Sequence, residues 1–592
     1  MSSKLLFTLI ASTLIWLNSF SQGLNLTPYE QSGCKTTPRY AQTLEYCHKL
    51  QSASPCLKMV SIGKSPQGRD IQMLIVDHNR NFTPAAVRKS GNVVIMVQAC
   101  IHAGEPDGKD AGLMLIRDML LTGKHKELLD HVTLLFIPIF NVDGHERFGP
   151  FNRINQNGPE EMGWRTTAQN LNLNRDYLKA DAPEMQAWLK NNNLWNPDFF
   201  IDCHVTDGAD YQYKLTYSLE LGGNMEAGLT WWTRDYFEKN LLSLLDADNT
   251  PAFPYVEFRN WHDPRSGLYL SPAPPMLSQG YLTARNRPGL LIEAHMLKDY
   301  KTRVEATYKA IMHTMELLSR DRKNFLQTLR KADVYTASAA FRKKEFPVKF
   351  KTSYKDSVLV SFKGFEYEAV KSDLTGGEWF VYHPDKPVTF KIPFFTKALP
   401  VATVKLPEAY IIPVEWIGFI KLIHLHGIKC YTINKPTTFT VQGYRFKNTR
   451  FRSTSYEGRF SADFNLDTLT MTREYQTGSV VVPMNQPLAR LAAYLLEPSA
   501  DGSLASWGFF NSVMEQKEYT ESYVMERMAR EMLAKDPNLQ KEFDQKKASD
   551  AVFAANPEAI LNWFYSKSPW GDSQLNLYPV GRILKNKKIE TE

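Results

Sequence analysis

Three segments of the chain repeat one hydrophobic pattern, in which a short apolar run is followed by a polar residue and then by a turn or helix. NVVIMVQACIH is an apolar, β-branched run that ends just before His102. NPDFFIDCHVTDG and RPGLLIEAHM contain similar runs, which lead to His204 and Glu293. Such runs predict buried strands. Gly104 and Pro106 end the first strand, and DGKDAGLMLIRDML then has helical spacing.

The polar residues that follow these strands form a candidate metal site. Open α/β sheets place their ligand sites at the carboxyl ends of the strands. Two imidazoles and a carboxylate, here His102, His204 and Glu105, are a typical ligand set for a catalytic Zn²⁺. Glu293 is then a carboxylate that is not a ligand, as a general base must be. An H-x-x-E pair alone occurs by chance, so the prediction depends on all three strand ends together.

A second polar pair lies between the ligand segments. Asn174 and Arg175, in NLNLNRDY, are able to hold a carboxylate through paired, charge-assisted hydrogen bonds. Such a clamp would restrict a peptidase to chain ends, because only a chain end offers the carboxylate. The combination indicates hydrolysis of an amide bond next to a free carboxyl terminus.

With these motifs, residues 45–320 resemble the zinc metallocarboxypeptidases of the carboxypeptidase A type. The resemblance also takes in an N-x-D-G turn and a W-R pair, in the order and approximate spacing of the family. The residues that carry it are His102, Glu105, Asn141, Asp143, Gly144, Trp164, Arg165, Leu173, Asn174, Arg175, Pro183, Glu184, His204, Ile292 and Glu293.

The resemblance implies a fold and a role for each site residue. The implied fold is α/β, with a mixed, mostly eight-stranded sheet flanked by helices. One Zn²⁺ per chain would be bound by the two histidines and Glu105. Glu293 would act as the base and Arg165 as the stabiliser of the oxyanion, which needs a fixed cationic donor. Asn174 and Arg175 would bind the terminal carboxylate.

The chain departs from the animal digestive members of the family at several positions. Gly104 stands where those enzymes carry an arginine that contacts substrate. Asn172 replaces an aspartate that orients a zinc-binding histidine, so we expect a less basic ligand. The tyrosine that covers the bound chain end has two candidates, Tyr269 and Tyr281. The apolar segment from Leu268 to Leu277 favours apolar or aromatic terminal residues.

Three of these assignments have ordinary structural alternatives. Arg165 is alternatively an ordinary surface arginine of its loop. Arg175 alternatively pairs with Asp176. Glu293 alternatively forms an ion pair with the arginines of ARNRPG.

Beyond about residue 335 the pattern changes. VKFKT, SVLVSF, YEAV, VTFKIPFF, ATVKLP and TFTVQGYRF alternate as short strands do, and EWIGFIKLIHLHGIK predicts one amphipathic helix. Helical spacing returns after residue 483. We therefore expect a signal peptide at 1–21, a catalytic domain at 22–335, a β-rich accessory domain at 336–482 and a helical region at 483–592.

The amino terminus and the composition indicate an exported enzyme. Lys4 precedes the 13-residue apolar stretch LLFTLIASTLIWL and a small-residue cleavage site, which is typical of a signal peptide. The stretch is too short for an ordinary membrane span of about 20 residues. We expect a periplasmic or extracellular protein with no stable membrane insertion after cleavage. Cys34, Cys47 and Cys56 leave disulfide pairing open.

Composition narrows the choice of partner and of function. The net charge is +7, but acidic and basic residues are interspersed. The sequence has no arginine-rich stripe with interleaved aromatic residues, so we do not expect nucleic-acid binding. The favoured function is a secreted zinc carboxypeptidase that acts on the carboxyl ends of peptides or proteins. The alternatives are an inactive peptidase fold that binds a partner, and a zinc amidase or acylase acting on peptidoglycan stem peptides.

Overall fold

A computed structural model describes residues 26–585. The predicted signal peptide lies outside these residues. The central feature is an eight-stranded mixed sheet with the strand order β1-β2-β4-β3-β5-β9-β6-β7. Its strands are β1 Leu57–Lys64, β2 Asp70–Val76, β3 Val93–Gln98, β4 Val132–Ile137, β5 Phe199–Val205, β6 Leu215–Ser218, β7 Ala252–Pro254 and β9 Gly289–Ala294.

The middle of this sheet is parallel and buried. β3 pairs in parallel with both β4 and β5, and β5 pairs in parallel with β9. The pairs β1–β2, β2–β4 and β6–β9 are antiparallel. Every residue of β3, β4, β5 and β9 is buried, which explains their continuous apolar runs. The predicted mixed eight-stranded sheet is confirmed.

Helices cover both faces of the sheet. Adjacent residues on β5 show this, because successive side chains on a strand point to opposite faces. The Phe200 ring packs edge-on against Trp188, and the Phe199 ring packs against Phe237 and Phe325. The α-helices as far as residue 343 are α1 Pro28–Gln31, α2 Tyr40–Ala53, α3 Pro84–Ser90, α4 Asp107–Arg117, α5 Val142–Glu146, α6 Pro183–Trp195, α7 Ala227–Trp232, α8 Lys239–Ala247, α9 Ser278–Thr283, α10 Tyr300–Arg320, α11 Arg322–Ala337 and α12 Ala339–Lys343.

The second half of the chain adds three smaller sheets. β10 pairs with β13, β11 and β12 form a three-stranded sheet with β8, and the remaining six strands have the order β15-β18-β14-β19-β16-β17. The strands are β8 Leu268–Tyr269, β10 Glu345–Thr352, β11 Val358–Lys371, β12 Glu378–Phe395, β13 Ala398–Lys405, β14 Ala409–Ile412, β15 Tyr431–Thr432, β16 Thr437–Phe451, β17 Ala462–Tyr475, β18 Val480–Pro483 and β19 Gly581–Ile583.

The helices of the second half are found mainly between β18 and β19. They are α13 Ile417–Leu425, α14 Ala489–Leu496, α15 Ser522–Lys535, α16 Pro537–Ser549, α17 Ala551–Ala554 and α18 Pro557–Lys567. A β-rich part followed by helices was expected, and this order is confirmed. The exact domain boundaries stay a prediction.

Contacts with the first half join the two parts of the chain. The end of β12 pairs in parallel with β8, at Phe394 and Leu268. His426, which follows α13, is buried between Tyr281 and Leu178, with Nδ1 2.9 Å from the Tyr281 hydroxyl and Nε2 3.0 Å from the Leu178 carbonyl oxygen. Both ring nitrogens therefore have partners within the protein.

Two of the predicted strand segments are one strand, and five strands of this half were not predicted, namely β14, β15, β17, β18 and β19. SVLVSF and YEAV both belong to β11, which is 14 residues long. The apolar side chains of β17 are interspersed with polar ones, and only its two end residues, Ala462 and Tyr475, are buried. It therefore lacks the apolar signal that reveals a buried strand. All six cysteines have free thiols. Within residues 26–585, no helix combines the length and apolar character that crossing a bilayer requires.

Helix α4 approaches β5 closely at a glycine. A Cβ built on Gly108 would lie 2.2 Å from the Cβ of Cys203, the residue before His204. The absent side chain lets the helix that follows the His102 loop lie directly on the strand that carries His204. Gly418 is at the same position of its own helix, second in α13, but has nothing within 4 Å of such a Cβ.

We expect Gly108→Ala to destabilise the protein, although alanine favours a helix over glycine by about 1 kcal/mol. The overpacking should cost about 1–3 kcal/mol and lower the midpoint of urea unfolding. Gly418→Ala is the matched control and should leave the midpoint unchanged or raise it. If both variants raised the midpoint equally, the close approach of α4 to β5 would not constrain the fold.

Candidate active site

Three neighbouring strands bring the predicted site residues to one edge of the sheet. β3 leads into the loop that carries His102 and Glu105, and α4 begins two residues after this glutamate. His204 lies near the end of β5, next in register to Glu293 on β9. The parallel pairing of β3, β5 and β9 thus places the four side chains around one cleft, which all of them line.

His102, Glu105 and His204 form a compact group of donor atoms. One ligand atom from each lies within 4.8 Å of the others, and all three residues are buried. The His204 Nδ1 atom is 3.2 Å from the Oε2 atom of Glu105. The His102 Nδ1 atom is buried and has no hydrogen-bond partner among residues 26–585. An unpartnered imidazole nitrogen beside a carboxylate and a second imidazole fits a Zn²⁺ site.

The electrostatics of this group favour a neutral His102 and an ionised Glu105. Burial lowers the pKa of His102 well below its ordinary value, which keeps the ring able to act as a ligand. Burial opposes ionisation of Glu105, but the Arg153 guanidinium and the two imidazoles outweigh it and lower the pKa of this carboxyl. Burial raises the pKa of Glu293, and the nearby Glu105 charge adds to this effect.

A second carboxylate, which the sequence reasoning missed, lies behind His204. The Oδ2 atom of Asp202 is 3.2 Å from the His204 Nε2 atom. The Oδ1 atom of Asp202 accepts a hydrogen bond of 3.1 Å from the Gln98 amide, which is also 3.0 Å from the Tyr177 hydroxyl. Asp202 is two residues before His204 on β5, so strand alternation puts both on one face. The spacing of two residues between Asp202 and His204 is therefore the sequence pattern that could have identified Asp202.

Asn172 stands where the animal digestive enzymes carry an aspartate that orients a zinc-binding histidine, but its side chain has a different partner here. Its side-chain oxygen accepts a hydrogen bond of 3.1 Å from the backbone N–H of Asn174. The carboxylate beside a predicted zinc ligand is therefore Asp202, next to His204. Carboxylate partners of this kind fix the orientation of ligand imidazoles and raise their basicity.

Arg153 is a second site residue that the sequence reasoning missed. Its Nη1 atom is 2.8 Å from the Glu105 Oε1 atom, and its Nη2 atom donates to the Val205 carbonyl at 2.7 Å. A Cβ built on Gly104 would be 3.3 Å from the Cβ of Arg153. The space beside Gly104 is thus occupied by Arg153 together with the Gly163 carbonyl, both from a later part of the chain. No motif marks this arginine in the sequence.

The other predicted site residues also line the cleft. Arg165 is half-exposed, and its Nη1 atom is 3.5 Å from the Glu105 Oε1 atom. Arg175 donates from Nη1 to the Asn174 carbonyl at 2.8 Å. The Oδ1 atom of Asn174 is buried without a partner among the described residues. The cleft that these residues share has a volume of about 430 Å³.

The two candidate tyrosines lie away from this cleft. Tyr281 is fully buried, and the Tyr269 hydroxyl is bonded to Glu257. Tyr255, directly after β7, does line the cleft. Burial raises its pKa, with the Glu293 charge as the next cause, so its hydroxyl stays protonated at neutral pH. Tyr255 is therefore a tyrosine of the described residues that lines this cleft directly.

One wall of the cleft carries no charged side chain. It comes from the segment between β8 and α9, and both carboxylate oxygens of buried Glu220 accept a 3.1 Å hydrogen bond from the Ala273 N–H within this segment. The uncharged cleft residues here and on the neighbouring strands are Ser218, Leu270, Ser271, Pro272, Ala273, Pro274, Leu277, Gln279 and Leu291.

Comparison with known proteins places the chain among peptidases. Residues 43–219 match the family model described as zinc carboxypeptidase. The chain is 24% identical over 455 residues to carboxypeptidase 2 of Trichophyton rubrum, covering 75% of this chain and 79% of that protein. Carboxypeptidase 2 of Trichophyton equinum is 22% identical over the same shares.

Similar solved structures include a metallo-carboxypeptidase from Pseudomonas aeruginosa, with 18% identity and a TM-score of 0.35 over 49% of this chain and 69% of that one. A metallo-carboxypeptidase from Burkholderia cenocepacia has 15% identity and a TM-score of 0.35 over 48% and 69%.

The mixed sheet, with a group that could hold a cation at the ends of its central strands, is typical of a metal-dependent hydrolase. With the family match over residues 43–219, the assignment becomes specific: this part of the chain is a zinc carboxypeptidase domain of the carboxypeptidase A type.

We expect Asp202→Asn to weaken zinc binding about 10- to 100-fold, as loss of such a partner does elsewhere. Asparagine keeps the shape but removes the charge that holds the His204 ring. The measurement is competition for zinc with a chelator of known affinity. Asp207→Asn, which changes another carboxylate of the same cleft, is the control. Equal zinc affinity in Asp202→Asn and the unmodified protein would show that Asp202 does not support the ligand.

Proposed function

We propose that the protein is an exported zinc carboxypeptidase that removes the terminal residue from peptides or proteins with a free carboxyl end. The observation that carries the proposal is the single cleft shared by the His102–Glu105–His204 group, Glu293 and the Asn174–Arg175 pair. A cation site, a candidate base and a candidate carboxylate clamp are then within reach of one bound chain end.

One Zn²⁺ per chain, bound by the two histidines and Glu105, would activate water and polarise the scissile carbonyl. Glu293 accepts the proton of the attacking water at its carboxylate and passes it to the leaving amine. Its place beside His204, in a buried position that lines the cleft, suits this role. A bound cation would favour the ionised carboxylate that proton acceptance requires.

Arginines provide the fixed positive charge. Arg165 is oriented toward the metal group, 3.5 Å from Glu105, and would donate to the oxyanion that forms on the scissile carbonyl. Arg153 lies on the same carboxylate and adds a second guanidinium at the cleft. Arg175 and Asn174 would bind the terminal carboxylate, which suits the planar guanidinium fork.

The uncharged wall between Leu270 and Leu277 supports a preference for apolar or aromatic terminal residues. A charged terminal side chain would lose hydration against this wall without gaining a partner. The alternatives of an inactive binding protein and of an amidase acting on peptidoglycan stem peptides are not favoured, because the predicted catalytic and clamp residues all face one cleft.

We expect Glu293→Gln to lower kcat by about 10²- to 10⁴-fold, the usual contribution of a general base. Zinc stoichiometry should stay at one per chain, because glutamine at this position leaves the three ligands intact. The assay is release of the terminal amino acid from a peptide. Glu526→Gln, exposed on α15, is the control. Unchanged turnover in Glu293→Gln would remove this residue from the mechanism.

We expect the unmodified enzyme to cut free peptides much faster than their carboxyl-terminal amides. Arg175→Ala should lower kcat/KM for the free peptide about 10- to 100-fold, the loss expected for a charge-assisted hydrogen bond. Its effect on kcat/KM for the amide should be small, so the preference for the free peptide over the amide should decrease. Arg530→Ala, an exposed arginine on α15, is the matched control. Equal rates on free and amidated peptides in the unmodified enzyme would contradict a terminal-carboxylate clamp.

A further inference from the structure

The β-rich part of the chain extends a hairpin to the predicted carboxylate clamp. We call residues 452–461, which connect β16 and β17, the tip hairpin. Tyr456 and Arg459 exchange two backbone hydrogen bonds, of 2.9 and 3.1 Å. Glu457 and Gly458 lie between them with φ of 50° and 76°. A two-residue turn with both φ values positive is the tight turn that matches the twist of paired strands, so the tip has a defined shape.

The tip hairpin is docked onto the catalytic half by an ion pair. The Arg459 guanidinium contacts both carboxylate oxygens of Asp181, at 2.9 and 2.5 Å, and lies 3.7 Å above the Phe509 ring. Burial opposes ionisation of Asp181, but Arg459 and Lys179 together lower its pKa. A bidentate ion pair of this kind fixes the orientation of the two side chains as well as the distance between them.

The tip also contacts the loop that carries the clamp. The Arg175 Nε atom donates to the Tyr456 hydroxyl at 3.2 Å, and the Asn172 N–H donates to the Glu457 carboxylate at 3.3 Å. The Tyr456 ring is stacked on Trp507, with 7° between the planes and 5.9 Å between centroids. Trp507 is itself buried, so the phenol ring rests on a fixed surface.

Two of the three nitrogens of the Arg175 guanidinium are therefore engaged. Nε donates to Tyr456 and Nη1 donates to the Asn174 carbonyl. Nη2 has no protein partner among the described residues. Because the guanidinium is planar, fixing two nitrogens sets the direction of the third. Tyr456 also lines a second cavity, of about 310 Å³, which Arg175 does not line.

We propose that the tip hairpin completes the carboxylate-binding end of the cleft, with Tyr456 as a positioning residue that holds the Arg175 guanidinium toward the bound chain end. This rests on the proposed role of Arg175. The β-rich part then contributes directly to recognition of the chain end, because a contact at the clamp comes from a side chain more than 280 residues away in sequence.

The first test is Tyr456→Phe, which removes one hydroxyl and keeps the ring on Trp507. The readouts are kcat and KM for a free peptide and for its amide. We expect KM for the free peptide to rise about three- to tenfold, as for loss of one hydrogen bond. Since the clamp binds substrate and transition state alike, kcat should change less than twofold. Tyr431→Phe, at a similarly exposed tyrosine, is the matched control and should change neither constant.

The second test asks whether Tyr456 acts through Arg175. In an Arg175→Ala background, Tyr456→Phe should have no further effect, because the residue that it positions is gone. Arg459→Ala, which loosens the docking of the tip without touching Tyr456, should raise KM for the free peptide in the same direction. The amide should be affected little by any of these changes.

Two different failures are distinguishable. If Arg175→Ala removes the preference for free peptides but Tyr456→Phe and Arg459→Ala leave KM unchanged, the positioning role is overturned while the clamp stands. The same conclusion follows if Tyr456→Phe and Arg175→Ala have fully additive effects. If Arg175→Ala leaves the preference intact, the clamp itself is wrong, and the positioning role falls with it.

Discussion

Strands β3, β5 and β9 are parallel neighbours, and their carboxyl ends meet at one edge of the central sheet. The register places His204 beside Glu293, and the loop after β3 lies against the end of β5. Helix α4 secures this loop by its close approach at Gly108. A slip of one residue in any of these pairings would turn a site residue to the opposite face. The chemistry of the cleft depends on this register.

Burial of charge is the second constraint on the site. Glu105 is almost fully buried, and its carboxylate is matched by Arg153, Arg165, His204 and the Val205 N–H. A buried carboxylate without such partners would be strongly destabilising. Because each oxygen has more than one partner, the carboxylate has a single favourable orientation. The contacts that stabilise the buried Glu105 carboxylate therefore also fix the orientation of this predicted zinc ligand.

The sequence predicts those site residues that lie at the ends of regular strands. The buried central strands read as apolar runs, and the residues after them could be identified because strand ends are marked by turns. Asp202 could have been found by strand alternation from His204. Arg153 lies in an irregular loop, where no period indicates which way a side chain points. Tyr456 meets Arg175 only through the docking of one part of the chain on another, and no local pattern encodes such a contact.

The position of β19 has a consequence for the order in which the molecule is completed. This strand lies between β14 and β16, so it links the β15-β18-β14 portion of the sheet to the long β16–β17 ribbon. Its residues, 581–583, leave the ribosome after every other strand of the sheet. The ribbon therefore gains its pairing with the rest of the sheet only after the other strands have been made. The proposed contact of the tip hairpin with Arg175 would therefore form after the candidate metal site, which is complete in sequence almost 300 residues earlier.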